Sequence, residues 1–394
     1  MESEKIRFAV TGLGIVSPLG TGIEKNWQRL IDSESAVRYE IKNEAFIARA
    51  EGFDMPENLR QLAIGFFAAQ EAVKDAGLIT SGYEKDRIGL SCGESKPNLF
   101  HESFVFDSGF PEQIKNILKI EGQMSCVSAA CATGTLTVIK GCDFIENDIC
   151  DAVICGTSET SIHPLYTAGF KNMGALSKRG HRPFGKERDG FSIGEGAGFI
   201  VIEDLKKAAL RGAKIYCELG GFASGIYTNN TINIDSSNGM ERIIKNTVNN
   251  EIPDFIHAHG TGTKLNDYYE SEAIKRQLGV RNEELGIKDK ENAGKAVHSS
   301  LLTPNSSFPL VSSTKAATGH MLGVSGIAGA IFSILAMRDS IVPPTLNFTE
   351  SDIPFNLNYV KNIALAQPVN SALSLSFGFG GQGAALYFKK SNLC

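Results

Sequence analysis

A long uncharged stretch towards the carboxyl terminus constrains the fold of this chain more than any other feature. No acidic or basic residue occurs between Met321 and Met337. A membrane-spanning helix needs about 20 predominantly apolar residues, so this stretch is short for a span. It also carries Gly323, Gly326 and Gly329, and small residues at this spacing suit a helix that is packed closely on all sides. We therefore predict a helix buried within a globular protein, and no membrane span.

Strand-like and helix-like stretches alternate along the whole chain. Short apolar runs indicate buried strands, and apolar residues three or four apart indicate helices. The predicted strands are 8–11, 87–92, 152–155, 199–203, 215–219, 255–258, 310–313 and 373–377, and the predicted helices are 59–75 and 204–211. Such alternation predicts an α/β fold with buried sheets. A similar order of elements in 1–212 and 213–394 indicates duplication, and the polar stretch 286–307 predicts an exposed insertion.

Composition and charge exclude several classes of protein. The chain has 394 residues, of which 42% are hydrophobic and 21% charged, as in ordinary globular proteins. A formal net charge of −5 gives no reason to expect a nucleic acid partner. Eight cysteines in a chain of this length do not form a disulfide framework, and the polar amino terminus lacks a signal peptide pattern. We therefore expect a protein of a reducing compartment, the cytoplasm.

Cys131 lies where a strand-like stretch meets a helix. Residues 124–130 are uncharged, and Val138, Cys142 and Ile145 then follow helical spacing. A cysteine in the first turn of a helix faces unpaired backbone N–H groups and the positive end of the helix dipole. Both favour the thiolate, which is the nucleophilic form. We therefore expect a lowered pKa and a nucleophilic role for Cys131.

Two histidines lie in loops of matching character. His259 follows a predicted strand and opens the loop His-Gly-Thr-Gly-Thr over 259–263, whereas His320 follows the next predicted strand and precedes the buried helix. Proteins of the α/β class place reactive groups in loops at the ends of buried strands. Either histidine alone would be structural as readily as catalytic. Together with Cys131, they indicate a nucleophile served by two histidines.

Three shorter motifs support other functions less well. Residues 89–93, with Ser91 at the centre, match the nucleophile turn of serine hydrolases, but 94–97 make a poor helix start. Residues 378–383 match a dinucleotide-binding pattern, yet too little chain follows to complete that site. The pairs Cys126–Cys131 and Cys150–Cys155 are spaced more loosely than the ligands of structural zinc sites. We expect turns and buried thiols at these positions, and no metal.

Motifs spread along the chain match one enzyme family in order. Ser128-Ala129-Ala130-Cys131-Ala132-Thr133-Gly134, the 259–263 loop and 315–323 resemble the elongating, Cys-His-His branch of the β-ketoacyl-acyl carrier protein synthases. The initiating branch has asparagine where this chain has His320. Further matches occur at 12–14, 17–20, 182–184, 188–191, 194–198 and 377–381, so that the resemblance covers essentially the whole chain.

The resemblance implies a thiolase-like fold, in which two duplicated α/β halves stack as five layers, α-β-α-β-α. Residues 1–212 would form the half that carries the nucleophile, and 213–394 the half that carries both histidines. The uncharged 321–337 helix would then lie in the middle layer. The resemblance also implies a homodimer, or a heterodimer with a chain-length-factor-like subunit. Acyl carrier protein would deliver the substrates on its phosphopantetheine, and no further cofactor is implied.

The activity implied by the resemblance is a decarboxylative Claisen condensation in fatty acid, specialised lipid, polyene or polyketide elongation. Cys131 would take an acyl group from acyl carrier protein. His259 and His320 would donate hydrogen bonds from Nε2 to the enolate formed when malonyl-acyl carrier protein loses CO2. The product would be a 3-oxoacyl-acyl carrier protein.

Supporting roles are implied by the same resemblance. Lys315, together with Glu195, would fix the surroundings of the histidines, and the N–H groups of Phe379 and Cys131 would bind the oxyanion. Phe379 would also gate the site. The remaining positions are Thr261 and Thr263 for the pantetheine arm, Phe170 for the acyl pocket, and Asp267 and Glu270 for the acidic network, where a structural role fits equally well.

Acyl carrier protein is acidic, so its docking surface should be basic. We expect Lys206, Lys207 and Arg211 on the predicted 204–211 helix to form that surface, with Arg60 as a weaker candidate. Charges on an exposed helix are more often simply solvated, and this alternative stays open.

Several positions depart from the family pattern. They are Leu375 in place of asparagine, Gln382-Gly383 in place of Thr-Asn, Gly185, Lys264 and a shortened segment between Asn98 and Gln123. Because these departures surround an intact Cys-His-His set, we expect an unusual acyl substrate. A non-condensing partner subunit would normally lack the cysteine. A degradative thiolase would need a second cysteine, which 377–383 does not contain.

Overall fold

Strands and helices alternate throughout the computed structural model, which describes residues 6–99, 109–228, 234, 236–279 and 308–391. The strands are β1 Phe8–Ser17, β2 Gly20–Thr21, β3 Arg38–Glu40, β4 Ala45–Ala48, β5 Ile88–Gly93, β6 Met124–Val127, β7 Ala152–Glu159, β8 Ile193–Gly194, β9 Gly196–Asp204, β10 Cys217–Ile226, β11 Phe255–His257, β12 Leu310–Ser312, β13 Ile341–Val342, β14 Asn358–Tyr359, β15 Leu365–Ala366, β16 Ser371–Phe377 and β17 Gln382–Lys389. The helices are α1 Ile23–Ile31, α2 Glu57–Asp75, α3 Gly109–Leu118, α4 Thr133–Glu146, α5 Pro164–Asn172, α6 Leu205–Leu210, α7 Asn238–Val248, α8 Lys264–Gly279, α9 Lys315–Thr318 and α10 Val324–Asp339. The predicted α/β class is confirmed, and the insertion predicted at 286–307 lies outside the described residues.

The main sheet repeats one strand order twice. In the first half the neighbours run β6-β5-β7-β9-β1, and in the second they run β12-β11-β16-β17-β10. When the five strands of each half are counted along the chain, both orders read third, second, fourth, fifth, first. The first three strands of each series are parallel, and the last two are antiparallel to their neighbours. The same order with the same directions is the arrangement expected of a duplicated fold.

The two halves enclose a central layer of helices. β1 pairs with β10, which connects the half-sheets at one edge. Helix α10 contacts β7 and β9 of the first half, β11 and β16 of the second, and α4 beside it. Helix α2 covers β1, β7 and β9 from outside, and α7 covers β10 and β17. The layers are therefore α-β-α-β-α, as predicted.

The uncharged stretch forms the centre of this arrangement. Helix α10 begins at Val324, and its residues are buried from there to Met337. The predicted buried helix is thus confirmed, although it begins four residues after His320. Among the described residues, no helix combines the length and apolarity that a membrane crossing requires.

The carboxyl ends of the parallel strands converge at the junction of the halves. The 3₁₀ turn Ala130–Ala132 follows β6 and contacts β16 and β17 of the second half. β11 pairs in parallel with both β12 and β16, so the loops after these three strands begin at the same end of the sheet. In α/β proteins this edge is where ligands bind. Cys131 and both histidines are carried by loops that start there.

Candidate active site

Cys131 lies in a constrained turn between β6 and α4. The turn spans Ala130–Ala132, and α4 begins at Thr133, so Cys131 precedes the helix rather than opening it. Ala130 adopts a φ of +47°, a conformation that non-glycine residues rarely take. The Thr133 hydroxyl donates to the Ala130 carbonyl at 2.8 Å and accepts from the Ala129 N–H at 2.9 Å. These bonds fix the position of Cys131 in the interior, where 3% of this residue is exposed.

The predicted lowering of the Cys131 pKa is wrong. Burial raises the pKa of Cys131 to about 11, because removing the thiolate from water costs more than its partners return. The charge of Lys315 and the backbone N–H of Phe379 both lower the pKa, but less than burial raises it. The free enzyme therefore rests as the thiol at neutral pH.

This raised pKa gives a testable pH dependence. We expect the alkylation rate of Cys131 by iodoacetamide to rise about tenfold per pH unit from pH 7 to 10, because the thiolate fraction rises tenfold per unit below the pKa. Peptide mass spectrometry measures the rate at this residue, and free glutathione added to the same sample provides the reference. A Cys131 rate that already levels off near pH 7 would contradict the raised pKa.

His320 directs a hydrogen-bond donor at the thiol. Its Nε2 lies 3.3 Å from Cys131 Sγ. Its Nδ1 lies 3.2 Å from the Leu322 backbone nitrogen and 2.8 Å from Ser325 Oγ. Because a backbone N–H can only donate, Nδ1 accepts, and the proton of the neutral ring is on Nε2. Burial lowers the pKa of His320 well below its usual range, which keeps the ring neutral.

His259 is held through its backbone by a carboxylate. The His259 N–H donates to Glu270 Oε1 at 2.6 Å, the Gly260 N–H donates to Oε2 at 2.8 Å, and Lys315 Nζ donates to the His259 carbonyl. The imidazole meets that of His320 edge-on, with ring centroids 5.4 Å apart. Burial lowers the pKa of His259 well below the ordinary value, so this ring is also neutral.

The three side chains converge tightly. Sγ of Cys131 and one ring nitrogen of each histidine lie within 4.8 Å of one another. A set this compact also has the dimensions of a metal site. However, the tautomer of His320 leaves a proton on the Nε2 that faces Cys131. The geometry fits a thiol flanked by two neutral histidines better than a metal centre.

Glu195 does not pair with Lys315, contrary to the prediction. Glu195 accepts from the Arg60 guanidinium and from the Ala50 N–H at 2.9 Å, and Arg60 is itself buried. Arg60 is therefore unavailable to a carrier protein.

The charges of Glu270 and Asp267, two residues of α8 that are fully buried, raise the pKa of Lys315 instead. Burial lowers the pKa of Lys315 and raises that of Glu270. The i, i+3 spacing of the two acids, on a helix that begins directly after the His259 loop, is the sequence signal that identifies this network.

The loop after β16 completes the site. The Phe379 backbone N–H faces the Cys131 sulfur and lowers the pKa of that thiol. A Cβ added at Gly378 would lie 3.0 Å from the Cys131 backbone nitrogen, so a side chain larger than glycine would disturb this contact. Tyr227, which the sequence did not single out, donates its hydroxyl to the Gly378 carbonyl at 2.9 Å. Two backbone N–H groups, those of Cys131 and Phe379, thus lie near the Cys131 sulfur.

A cavity of about 410 Å³ gives access to Cys131. Thr261, Thr263 and Phe379 line it, together with both histidines. The hydroxyls of Thr261 and Thr263 lie 2.8 Å apart and bond to each other. The predicted acyl-pocket residue Phe170 does not line this cavity. Instead it packs edge-on against Phe191, whose ring packs against His320 with centroids 5.1 Å apart.

The basic helix predicted to bind carrier protein lies elsewhere. Helix α6 follows the end of β9 that pairs with the start of β7, whereas the Cys131 turn lies near the other end of β7. These two places lie at opposite ends of β7, whose eight residues span about 23 Å. Arg211 pairs with the buried Glu203, and Lys207 pairs with Asp151 at 2.5 Å. Lys206 is exposed, but it also lies on α6, at the end of the strands that is far from Cys131.

The alternative motifs have structural positions. Ser91 is buried within β5, where its hydroxyl accepts from Ser125 Oγ at 3.1 Å, and no nucleophile turn surrounds it. Cys150 and Cys155 are buried and unpaired. Both observations agree with the structural roles that the sequence favoured.

The chain belongs to the β-ketoacyl synthase family. The family model described as "Beta-ketoacyl synthase, N-terminal domain" matches residues 44–208, and "Beta-ketoacyl synthase, C-terminal domain" matches 216–297 and 291–349. A 3-oxoacyl-[acyl-carrier-protein] synthase 2 from Synechocystis sp. is 33% identical over 98% of this chain and 99% of its own length.

Solved structures with the same fold include ketosynthases. A chain from a type II PKS acyl-carrier protein in complex with its ketosynthase bound to the hexaketide is 26% identical, with a TM-score of 0.85 over 99% of this chain and 100% of that one. The ishigamide ketosynthase/chain length factor is 27% identical, with a TM-score of 0.84 over the same shares. The predicted thiolase-like ketosynthase fold is thus confirmed.

Proposed function

We propose that this chain is an acyltransferase of the elongating type, which condenses an acyl group on Cys131 with malonyl-acyl carrier protein. The observation that carries the proposal is the convergence of one thiol and two neutral histidines within 4.8 Å, next to the backbone N–H of Phe379. Neutral donors suit an enolate, because they stabilise the oxygen's developing charge without first protonating the carbon.

In the first step, Cys131 exchanges one thioester for another. The thiol loses its proton, and its sulfur attacks the acyl carbonyl carbon of the carrier-bound substrate. The Cys131 and Phe379 N–H groups bind the carbonyl oxygen while it is negatively charged. The bond from carbon to the pantetheine sulfur then breaks, and that sulfur takes up a proton. The raised pKa of Cys131 makes loss of the first proton a demanding part of this step.

In the second step, the malonyl group loses CO2. The bond to its carboxylate carbon breaks, and the electron pair passes to the thioester oxygen as an enolate, which His259 and His320 stabilise by donating hydrogen bonds. The enolate carbon attacks the acyl-Cys131 carbonyl, and the bond to Sγ breaks. The thiolate is then reprotonated, and 3-oxoacyl-acyl carrier protein leaves. Lys315 and Glu270 act as positioning residues, since they hold the His259 backbone.

A reconstituted assay tests the proposed function. The purified chain is incubated with malonyl-acyl carrier protein and a library of acyl carrier proteins that bear saturated, unsaturated and oxygenated acyl groups. Mass spectrometry should detect a 3-oxoacyl product two carbons longer than at least one acyl donor, together with an acyl adduct on Cys131. A folded protein that forms neither with any donor would refute the condensing function.

We place the docking surface for acyl carrier protein at the cavity mouth. Lys264 lines the mouth and is exposed, and the Lys178 backbone bonds to Asp189, another lining residue, at 3.1 Å. Both lysine side chains are exposed to solvent. Met173 and Leu265 add apolar surface that is 47% and 46% exposed. A basic rim with apolar centres complements an acidic carrier protein.

Charge reversal at this rim tests the docking surface. Lys264→Glu and Lys178→Glu should each raise the KM for malonyl-acyl carrier protein about tenfold, because an attractive charge becomes repulsive. The rate with malonyl-pantetheine, which lacks the carrier, should change little. Lys206→Glu, on α6, is the matched control and should behave as the wild type. An effect of Lys206→Glu alone would restore the α6 surface and exclude the rim.

We also propose that the chain is a homodimer that pairs through β6. β6 is the outermost strand on one side of the main sheet. It pairs with β5, and no strand among the described residues pairs with its other side. Met124, Ser125, Cys126 and Val127 carry no charge, and such edges are normally covered. The likeness to the ishigamide ketosynthase/chain length factor favours a heterodimer as the second candidate. Light scattering and activity of the chain alone separate the two: a dimer active without a partner excludes the heterodimer.

The chemistry of the cysteines supports a reducing compartment such as the cytoplasm. All seven cysteines within the described residues are free, and six of them are buried. Disulfides persist in oxidising compartments, whereas unpaired thiols are the norm in the cytosol. Fractionation of the native source would place the protein directly.

A further inference from the structure

Tyr227 lies behind the loop that carries Phe379. Its hydroxyl donates to the Gly378 carbonyl at 2.9 Å, and its backbone N–H donates to the Gly381 carbonyl at 2.8 Å. Residues 378 and 381 are the first and last residues of one turn, which a hydrogen bond of 3.2 Å from the Gly381 N–H to the Gly378 carbonyl closes. Tyr227 therefore bonds to both ends of this turn.

The turn consists mostly of glycine. Gly380 and Gly381 adopt φ values of +88° and +83°. Phe379 occupies the second position and Gly380, with its positive φ, the third, as in a type II turn. Glycine takes positive and negative φ about equally well, so such a turn has considerable conformational freedom of its own. A hydrogen bond from a fixed side chain outside the turn restricts that freedom.

Tyr227 is itself firmly held. It is 6% exposed, and its ring packs edge-on against Phe377 with centroids 5.2 Å apart. Helix α7 lies so close to its backbone that a Cβ added at Gly239 would be 2.2 Å from Tyr227 Cα. Burial raises the pKa of Tyr227, so the hydroxyl keeps its proton and remains a donor. The turn is thus held by a rigid and permanent donor.

The Gly378 carbonyl and the Phe379 N–H belong to one peptide group. No peptide bond within the described residues is cis. In a planar trans peptide, the C=O and N–H bonds point in opposite directions. A hydroxyl that fixes the carbonyl on one side therefore fixes the direction of the N–H on the other. That N–H faces the Cys131 sulfur and lowers the pKa of the thiol.

We infer that Tyr227 positions an oxyanion donor: its hydroxyl holds the Gly378–Phe379 peptide so that the Phe379 N–H points at the carbonyl oxygen of an acyl group at Cys131. The inference rests on the proposed function, in which that oxygen becomes negatively charged when the sulfur attacks and again when the enolate carbon attacks. Donors to such an oxygen are effective when they are preorganised. Tyr227 acts through the Phe379 N–H, so it is a positioning residue.

Tyr227→Phe tests this role, because it removes the hydroxyl and keeps both the ring and the backbone hydrogen bond. The acyl donor is a pantetheine thioester of an acyl group that the acyl carrier protein library identifies as a substrate. Its transfer to Cys131 releases pantetheine thiol and is followed by intact mass. The variant should acylate about five- to tenfold more slowly than the wild type, the size of effect that one hydrogen bond provides.

Decarboxylation provides a second readout. Tyr227→Phe is placed in the Cys131→Ala background, which cannot be acylated at residue 131, and CO2 release from malonyl-acyl carrier protein is measured. The rate should match that of Cys131→Ala alone, because His259 and His320 serve this step in the proposed reaction.

A dithioester analogue distinguishes positioning from a general loss of structure. In this analogue, sulfur replaces the carbonyl oxygen of the acyl donor, and sulfur is a weak hydrogen-bond acceptor. Tyr227→Phe should therefore lower the thioester rate more than the dithioester rate, so that the ratio of the two rates falls. A structural role would slow both reactions alike.

Two further variants locate the effect. Phe379→Pro removes the backbone N–H, and proline fits the second position of a type II turn. In that background, Tyr227→Phe should not change the ratio further, because the group it positions is gone. Tyr387→Phe is the matched control. Tyr387 is a buried tyrosine of β17 whose hydroxyl donates to Glu251 at 3.0 Å, and its variant should keep the wild-type ratio.

The outcomes separate this inference from the proposed function. A wild-type thioester rate in Tyr227→Phe, or equal slowing with the thioester and the dithioester, would overturn the positioning role while leaving condensation intact. A higher KM with an unchanged rate constant for acylation would also overturn it, by showing that Tyr227 contacts the pantetheine arm instead. If Phe379→Pro fails to fold, the ratio in Tyr227→Phe decides. If no acyl donor modifies a Cys131 that iodoacetamide still alkylates, the proposed function fails, and the positioning role fails with it.

Discussion

Cys131→Ala should abolish formation of the 3-oxoacyl product, with a loss of at least about a thousandfold, because the variant lacks the thiol that is proposed to carry the acyl group. The variant should still decarboxylate malonyl-acyl carrier protein, because His259 and His320 keep their positions. Product is measured by mass spectrometry and CO2 by release of label. The separation of the two readouts distinguishes loss of the nucleophile from loss of the fold.

Cys142→Ala is the matched control for this experiment. Cys142 is a buried, unpaired cysteine on α4, the helix that follows the nucleophile turn. Its replacement tests whether any loss of a buried thiol harms the enzyme, and the variant should retain activity. Chain extension that persists in pure Cys131→Ala protein would show that another residue carries the acyl group.

His259→Ala and His320→Ala should each slow decarboxylation of malonyl-acyl carrier protein by about a hundredfold to a thousandfold. Removing one preorganised donor to a developing oxyanion has effects of this size. Acylation of Cys131 should fall much less, since the backbone N–H groups of Cys131 and Phe379 serve that step. Decarboxylation is measured on the acylated enzyme and loading by intact mass.

A conservative variant refines the assignment of His320. His320→Gln retains an N–H donor, so it should recover part of the decarboxylation rate that alanine removes. A proton-transfer role would instead be lost equally in both variants. Loss of loading with normal decarboxylation would reverse the roles assigned to the cysteine and the histidines.

The fold and the convergence of Cys131 with the two histidines were predictable because local patterns specify them. The uncharged 321–337 stretch is stable in water only where other segments of the protein surround it, and α10 is buried from Val324 to Met337. Likewise, His259 and His320 each follow a buried strand, and the parallel strands β11 and β12 bring both loops to one edge. Strand ends and helix spacing are properties of short segments, so one sequence reveals them.

The electrostatics were not predictable in the same way. The pKa of Cys131 depends on how completely two distant halves bury it, and the local sequence shows only a helix start. Glu195 bonds to Arg60, 135 residues earlier in the chain, and no local pattern favours this pair over Glu195 with Lys315. The prediction that the α6 lysines lie near the site has the same weakness. Their charge is visible in the sequence, but the end of the strands at which they lie is not.

The repeated strand order has a consequence for how catalysis is divided. Cys131 follows β6, the third strand of the first half, and His320 follows β12, the third strand of the second. The nucleophile and one of its donors therefore occupy equivalent positions in two copies of one plan. In the proposed reaction, one half thus supplies the acyl acceptor and the other supplies donors to the anion. Neither half contains a complete site, so the proposed chemistry exists only where the two halves meet.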